Sequence, residues 1–266
     1  MSFVPSGVIT LTTDFGHHDV FVGTMKGQVL RRFTAARIVD LTHGIQAHWP
    51  DEAGFWLAKS YQYFPTGTIH IAVVDPGVGT GRDIIALELD DHLFLAPDNG
   101  LLGLLSQNPK VKTHRLDITR LARFGIEQPS STFHGRDIFA PIAAELAAGH
   151  ISAVDIGPSV NEIVPRWQEA AVVEDDQVSG VVITTDSFGN LITNIEDHMI
   201  RHLRQPIVLA GGQQFPLRQT YGDVQPGQYL ALINSFGVVE IACAESSAAQ
   251  GLGLGRNAPI IVRALD

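Results

Sequence analysis

The stretch Ile69-His70-Ile71-Ala72-Val73-Val74-Asp75-Pro76-Gly77-Val78-Gly79-Thr80-Gly81-Arg82 decides how this chain is read. It opens as a run of β-branched residues with little polarity, the pattern of a strand buried on both faces. Proline at Pro76 cannot donate to a ladder, so the strand stops at Asp75. Glycines at Gly77, Gly79 and Gly81 follow, and the loop closes on Arg82. A buried strand that delivers an acid into a glycine-rich loop is how open α/β sheets present ligand-binding groups at their carboxyl ends. The competing reading makes Asp75 a turn former and Arg82 a solvated cation.

Working outward, the flanks repeat the same grammar. Val8 to Thr12 is a short strand ending at Asp14, and a helical pattern follows from Asp19 with Val20, Phe21, Met25, Val29 and Leu30 on one side. Gly23 and Gly27 within it suggest close packing on a neighbour. Ile38 to Leu41 is a second strand, and Pro50-Asp51 opens a helix through Tyr63 with Asp51 as its cap. Alternating strand and helix predict an α/β domain with a mostly parallel sheet. Ile84 to Leu89 and Leu93 to Leu95 form a hairpin, the second arm running into the acidic turn Asp98-Asn99, and Leu101 to Leu105 is a short helix. Asp137 reads as the N-cap of a helix over Ile138 to Ala148, with Pro141 tolerated in its first turn.

The second half changes period. Pro158 to Asp176 carries prolines and charges without periodicity and reads as a linker. The division is an N-terminal domain over 1–162, a linker over 163–177 and a C-terminal domain over 178–266. Strand-like runs at Val178–Thr185, Leu191–Ile195, Ile207–Ala210, Tyr229–Asn234, Val238–Ala244 and Pro259–Ala264 predict a small all-β, barrel-like domain.

Composition bounds the function. The chain has 266 residues and a formal net charge of -10, which argues against nucleic acid or an anionic membrane as partner. Its one cysteine, Cys243, lies in an apolar run and reads as a core residue; no internal disulfide or thiolate metal cluster can form. No leader pattern and no run of membrane-spanning length is present, so a cytoplasmic setting is expected. Phosphate-loop, zinc-helix and nucleophile-elbow motifs are missing. The glycine run 77–81 lacks the spacing of a dinucleotide loop. Asp14, His17, His18, Asp19 and Asp75 match no metal-ligand spacing, and neither metal nor organic cofactor is expected. The histidines His17, His18, His43 and His48 read as solvated loop residues. His134 stands directly before a helix start, where backbone N–H groups gather.

Taken in order, six blocks resemble one family: Thr12-Thr13-Asp14-Phe15-Gly16, Val73 to Arg82, Ala96-Pro97-Asp98-Asn99-Gly100, Thr132 to Pro141, Asp186-Ser187-Phe188-Gly189-Asn190, and Asn234 to Ala242. The sequence is similar to the S-adenosyl-L-methionine (SAM) hydroxide adenosyltransferases, relatives of the fluorinating and chlorinating enzymes. The resemblance implies an N-terminal α/β domain joined to a C-terminal β-barrel, assembled as a homotrimer with sites between subunits. It implies attack of water on ribose C5′ of S-adenosyl-L-methionine, giving adenosine and L-methionine. A water-handling trio matches Asp75, Arg82 and His134. Asp14 would bind the ribose diol, Trp49 would pack by the sugar or sulfonium, Asp186 would take the methionine ammonium, Ser235 its carboxylate, and Asn190 the adenine edge. The fluorinating relatives carry tyrosine where Asp75 stands, and a carboxylate there disfavours a halide by like-charge repulsion. The sequence also departs from the halogenating pattern, which has arginine after the serine matching Ser235; here it is Phe236. The alternatives within reach are a halide-dependent adenosyltransferase and a binding sensor without turnover.

Overall fold

A computed structural model of the protein describes residues 3–265. The chain divides between Gln168 and Glu169 into two compact units.

The first unit is built on a seven-stranded sheet. Its strands are β1 (Val8–Thr13), β2 (Arg37–Thr42), β3 (Ile69–Val73), β4 (Ile84–Leu89), β5 (His92–Pro97), β6 (Lys112–Arg115) and β7 (Ser159–Val160), in the order β2-β1-β3-β5-β4-β6-β7. β2, β1, β3 and β5 run parallel, while β4, β6 and β7 pair antiparallel. The alternation within β3 explains the two layers. Ile69, Ile71 and Val73 pack with Met25 and Val29 of helix α1 (Phe21–Arg32) and Ile142 and Ala143 of helix α3 (Ala140–Ala147). Ala72, and Val74 just beyond the strand, pack instead with Ala53 and Leu57 of helix α2 (Pro50–Ser60). A strand covered on both faces has no solvent side, so it is apolar apart from His70, whose ring nitrogens find partners in Thr10 and His92. The parallel strands therefore end together, and Asp14 and Asp75 follow β1 and β3 at the same sheet edge.

Several local expectations give way to tertiary contacts. Gly23 and Gly27 are exposed, with nothing within 4 Å of where a Cβ would stand, so they do not mediate close packing. Asp51 is not the cap of α2; Trp49 holds that position, and the α-helix ends at Ser60 before a short 3₁₀ turn, Tyr61–Tyr63. Asp51 Oδ1 accepts the backbone N–H groups of Trp167 (3.1 Å) and Gln168 (3.4 Å), and Asp98 Oδ1 accepts that of Val164 (2.8 Å). Residues 164–168 of the expected linker are thus fastened to the first unit by two buried carboxylates. Asp137 does not cap a helix beginning at Ile138. A π-helical turn, Gly135–Phe139, comes first, and the Asp137 carboxylate accepts the Ser130 N–H (2.8 Å) and pairs with Arg136. His43 is buried rather than solvated, 2.8 Å from Thr13 Oγ1 and 3.0 Å from Asp40 Oδ1.

The second unit is a closed barrel. Strands β9 (Gln177–Thr185), β10 (Leu191–Glu196), β11 (Ile207–Ala210), β12 (Gln213–Arg218), β13 (Tyr229–Ile233), β14 (Val238–Cys243) and β15 (Pro259–Arg263) form the ring β9-β10-β14-β13-β12-β11-β15, which returns to β9. The short strand β8 (Val172–Val173) adds to β9 from outside the ring. Closure leaves no exposed edge within the ring, and alternate residues such as Val178, Val182, Ile241 and Val262 fill its interior. Among the described residues, no helix is long and apolar enough to cross a membrane.

One buried polar network in the first unit has a thermodynamic consequence. Thr10 Oγ1 lies 2.8 Å from His70 Nδ1, and His70 Nε2 lies 3.0 Å from His92 Nδ1. Burial, reinforced by neighbouring His92, pushes the His70 pKa down to about 3 from an ordinary 6.5. The unfolded chain therefore binds a proton at this residue that the folded chain refuses. Its contribution to stability is complete above about pH 6.5 and is lost as pH falls toward 3. The unfolding midpoint should fall between pH 6.5 and 4, with a shallower slope in His70→Gln. Equal slopes in scanning calorimetry would contradict this assignment.

Candidate active site

The loop after β3 is held open by its glycines. Gly79 has φ +77°, and a Cβ there would lie 2.1 Å from the Ser131 carbonyl oxygen, so this position admits no larger residue without moving the backbone. The loop returns Arg82 to Asp75. Arg82 Nε lies 3.1 and 3.0 Å from the two Asp75 oxygens, and its Nη2 also donates to Asp75 Oδ2. The same Nη2 lies 2.9 Å from His134 Nδ1. The side chains of Arg82 and Asp75 are only 9% and 4% exposed. Separation from water strengthens such a bidentate pair and makes loss of either partner costly, on the order of 3–5 kcal/mol.

This contact fixes the histidine's state. A guanidinium has donors only, so His134 Nδ1 must accept, which leaves the proton of the neutral ring on Nε2. Burial, and then the Arg82 charge, hold the His134 pKa below its ordinary value; Asp75 and Asp137 oppose that shift. Near neutral pH the ring is thus uncharged and offers one N–H.

Asp75 and His134 line a cleft of about 330 Å³. Asp14 lies on the same wall, with its Oδ2 accepting the His48 N–H at 2.9 Å. Ala47 and His48 line the cleft as well, whereas the next residue, Trp49, sits half-buried at the start of α2. Sequence reasoning missed the aromatic lining. Phe15, Phe21 and Phe133 form a cluster with centroids 5.3–5.9 Å apart, and all three border the cleft. The available signal was position, since Phe15 and Phe133 directly follow or precede expected site residues.

The other expected residues lie in the barrel unit. Asp186 Oδ1 accepts the N–H groups of Phe188 (2.9 Å) and Asn190 (2.8 Å), and Oδ2 accepts from Asn190 Nδ2 (3.0 Å). Asp186 therefore shapes the turn that presents Asn190. Phe188, Asn190, Tyr221 and residues 243–247 line a second cavity of about 570 Å³. Ser235 is exposed in the turn between β13 and β14. Asn234 holds that turn, its Oδ1 accepting from the Phe236 N–H (3.0 Å) and its Nδ2 donating to Glu240 (3.1 Å). Glu240, which also accepts from Tyr221 Oη at 2.7 Å, was not singled out from sequence.

Two family models match in chain order: the SAM hydroxide adenosyltransferase N-terminal domain over residues 9–157 and its C-terminal domain over 180–261. The chain belongs to the SAM hydroxide adenosyltransferase family. The (R)-S-adenosyl-L-methionine hydrolase of Salinispora tropica is 37% identical, covering 94% of this chain and 95% of that protein. A fluorinase of an Actinoplanes species is 27% identical, covering 88% and 90%. A crystal structure of a conserved protein from Thermotoga maritima superposes with a TM-score of 0.88 at 32% identity, covering 96% and 99%. Family membership thus extends over both units rather than over one shared fold motif.

Proposed function

We propose that this family member hydrolyses S-adenosyl-L-methionine to adenosine and L-methionine, with Asp75, Arg82 and His134 handling the attacking water. The observation that carries the reading is the hydrogen-bonded Asp75–Arg82–His134 set, whose Asp75 and His134 line a cleft that Asp14 also lines. The greater identity to a hydrolase than to a fluorinase supports it.

The chemistry sets the demands. Sulfur leaves C5′ with the bonding pair, and the sulfonium becomes a neutral thioether, so the leaving group needs no acid. Water is the weak partner and must be aligned opposite the C–S bond. Asp75 Oδ2 takes both Arg82 Nε and Nη2, whereas Oδ1 takes only the shared Nε–H and retains a lone pair that can accept from water. The His134 Nε2–H donates to the water oxygen, which sets its orientation. As the C5′–O bond forms, the water O–H breaks and its proton passes to Asp75. Arg82 keeps both partners fixed and cannot itself act as a base. A halide in the same position would face the Asp75 carboxylate, which disfavours the halide-dependent alternative.

Asp14 accepts hydrogen bonds from the ribose 2′- and 3′-hydroxyls, and Trp49 packs by the sugar or sulfonium. The Asp186 carboxylate takes the methionine ammonium, Ser235 the methionine carboxylate, and Asn190 pairs with the adenine edge. No metal or organic cofactor is required by this reaction. We further propose a cytoplasmic homotrimer with sites between subunits. The family resemblance supports it, as do the exposed apolar residues Val20 and Leu30 near or on α1 and Val39 on the edge strand β2.

Asp75→Ala should lower turnover of S-adenosyl-L-methionine at least a hundredfold while calorimetric affinity stays within threefold. Asp14→Ala should instead weaken binding tenfold or more. Wild-type turnover in the first variant would remove Asp75 from the chemistry, and unchanged affinity in the second would remove Asp14 from the ribose site. Light scattering on the eluting protein should give three chain masses; a single chain mass would contradict the trimer.

A further inference from the structure

Arg82 also contacts a third side chain, one that the proposed chemistry does not use. Its Cζ lies 5.8 Å from the ring centroid of Phe139, a residue with no exposed surface. Hydrogen bonding occupies the edge of the guanidinium toward Asp75 and His134, and the aromatic ring lies against the same ion. A cation over an aromatic face is attracted by the ring quadrupole, most strongly where water is excluded.

His134 and Phe139 both touch Arg82, yet they stand five residues apart. On an α-helix of 3.6 residues per turn, residues five apart point about 140° away from one another. Here the intervening turn is π-helical: the Ala140 N–H donates to the Gly135 carbonyl, five residues back. The wider loop brings such a pair back toward one side. Two features of the sequence favour it. Pro141 has no N–H to offer the carbonyls behind it, and its ring crowds a regular α turn. At Gly135, a Cβ would lie 3.2 Å from both Met25 Sδ and Phe133 Cε2, so the missing side chain lets the turn sit close against α1.

We propose that Phe139 is a positioning residue, set opposite Arg82 by the π-helical turn, and that its ring fixes the guanidinium in the plane that serves Asp75 and His134 together. The inference rests on the trio reading for its effect on turnover, but the positioning itself can be read without turnover. The charged groups acting on His134 are Arg82, Asp75 and Asp137, so displacement of Arg82 changes the balance among them.

Phe139→Leu fills the site without a π face. Steady-state kinetics with S-adenosyl-L-methionine should show kcat about tenfold lower with KM within twofold. The His134 titration, followed by NMR, should move up toward the ordinary histidine value while the thermal midpoint shifts by only a few degrees. Phe139→Met, equally without a π face, supplies the same readouts if the leucine variant does not fold. Wild-type kcat with an unmoved titration overturns the proposal. A lower kcat with an unmoved titration overturns it too, because the loss is then one of general packing. A moved titration with wild-type kcat upholds the positioning role and instead contradicts the catalytic role of the trio.

Discussion

A guanidinium taken out of water must find acceptors for its donors, and Arg82 finds them on Asp75 and His134 at once. That requirement organises the surrounding structure. The β3–β4 loop has to curl back within seven residues, which the glycine at Gly79 permits with its left-handed backbone. The chain preceding α3 has to bring His134 Nδ1 to 2.9 Å, and the π-helical turn follows directly on that residue. Because the donor-only guanidinium dictates the imidazole tautomer, one ion pair sets both the carboxylate's position and the histidine's remaining proton. The sheet supplies the frame: parallel β1 and β3 end side by side, so Asp14 and Asp75 reach one cleft.

The chemistry proposed for this cleft suits a fixed, partly dry set of groups. Departure of a neutral thioether from a sulfonium needs little help, so the protein's task is to hold a poor nucleophile in line and take its proton. The aromatic cluster of Phe15, Phe21 and Phe133 beside Asp14 and His134 gives the cleft an apolar wall. Such a wall limits bulk water and strengthens the remaining polar contacts. In the barrel unit, Asp186 and Asn234 spend their hydrogen bonds on tight turns, which gives Asn190 and Ser235 defined positions.

Much of this was legible in the sequence where burial and local chemistry agree. β3 and β5 are largely apolar on both faces because helices or turns cover both, and the barrel strands β9, β10, β13 and β14 are short runs rich in β-branched and aliphatic residues, β14 buried along its whole length. Among the described residues, four strands escaped notice: β7 and β8 have two residues each within the aperiodic stretch Pro158 to Asp176, and the two longer ones, β6 and β12, carry a competing signal. β6 reads Lys112-Thr113-His114-Arg115, and β12 contains Pro216, a residue that argues against a strand inside a sheet. Asp51 failed as a cap because its acceptor serves backbone groups 116 and 117 residues away, which no local rule foresees. Asp137 failed for a similar reason, since the π-helical turn moved the helix start ahead of it. The Asp75–Arg82–His134 set was visible only as separate blocks of a family pattern, because residues 52 apart carry no local sign of contact.

The central claim concerns which nucleophile reaches C5′. Purified protein incubated with S-adenosyl-L-methionine in ¹⁸O-labelled water containing chloride, with products resolved by mass spectrometry, tests it most directly. The account predicts adenosine carrying one heavy oxygen at the 5′ position, together with L-methionine. A 5′-halogenated adenosine, or adenosine without the label, would contradict it.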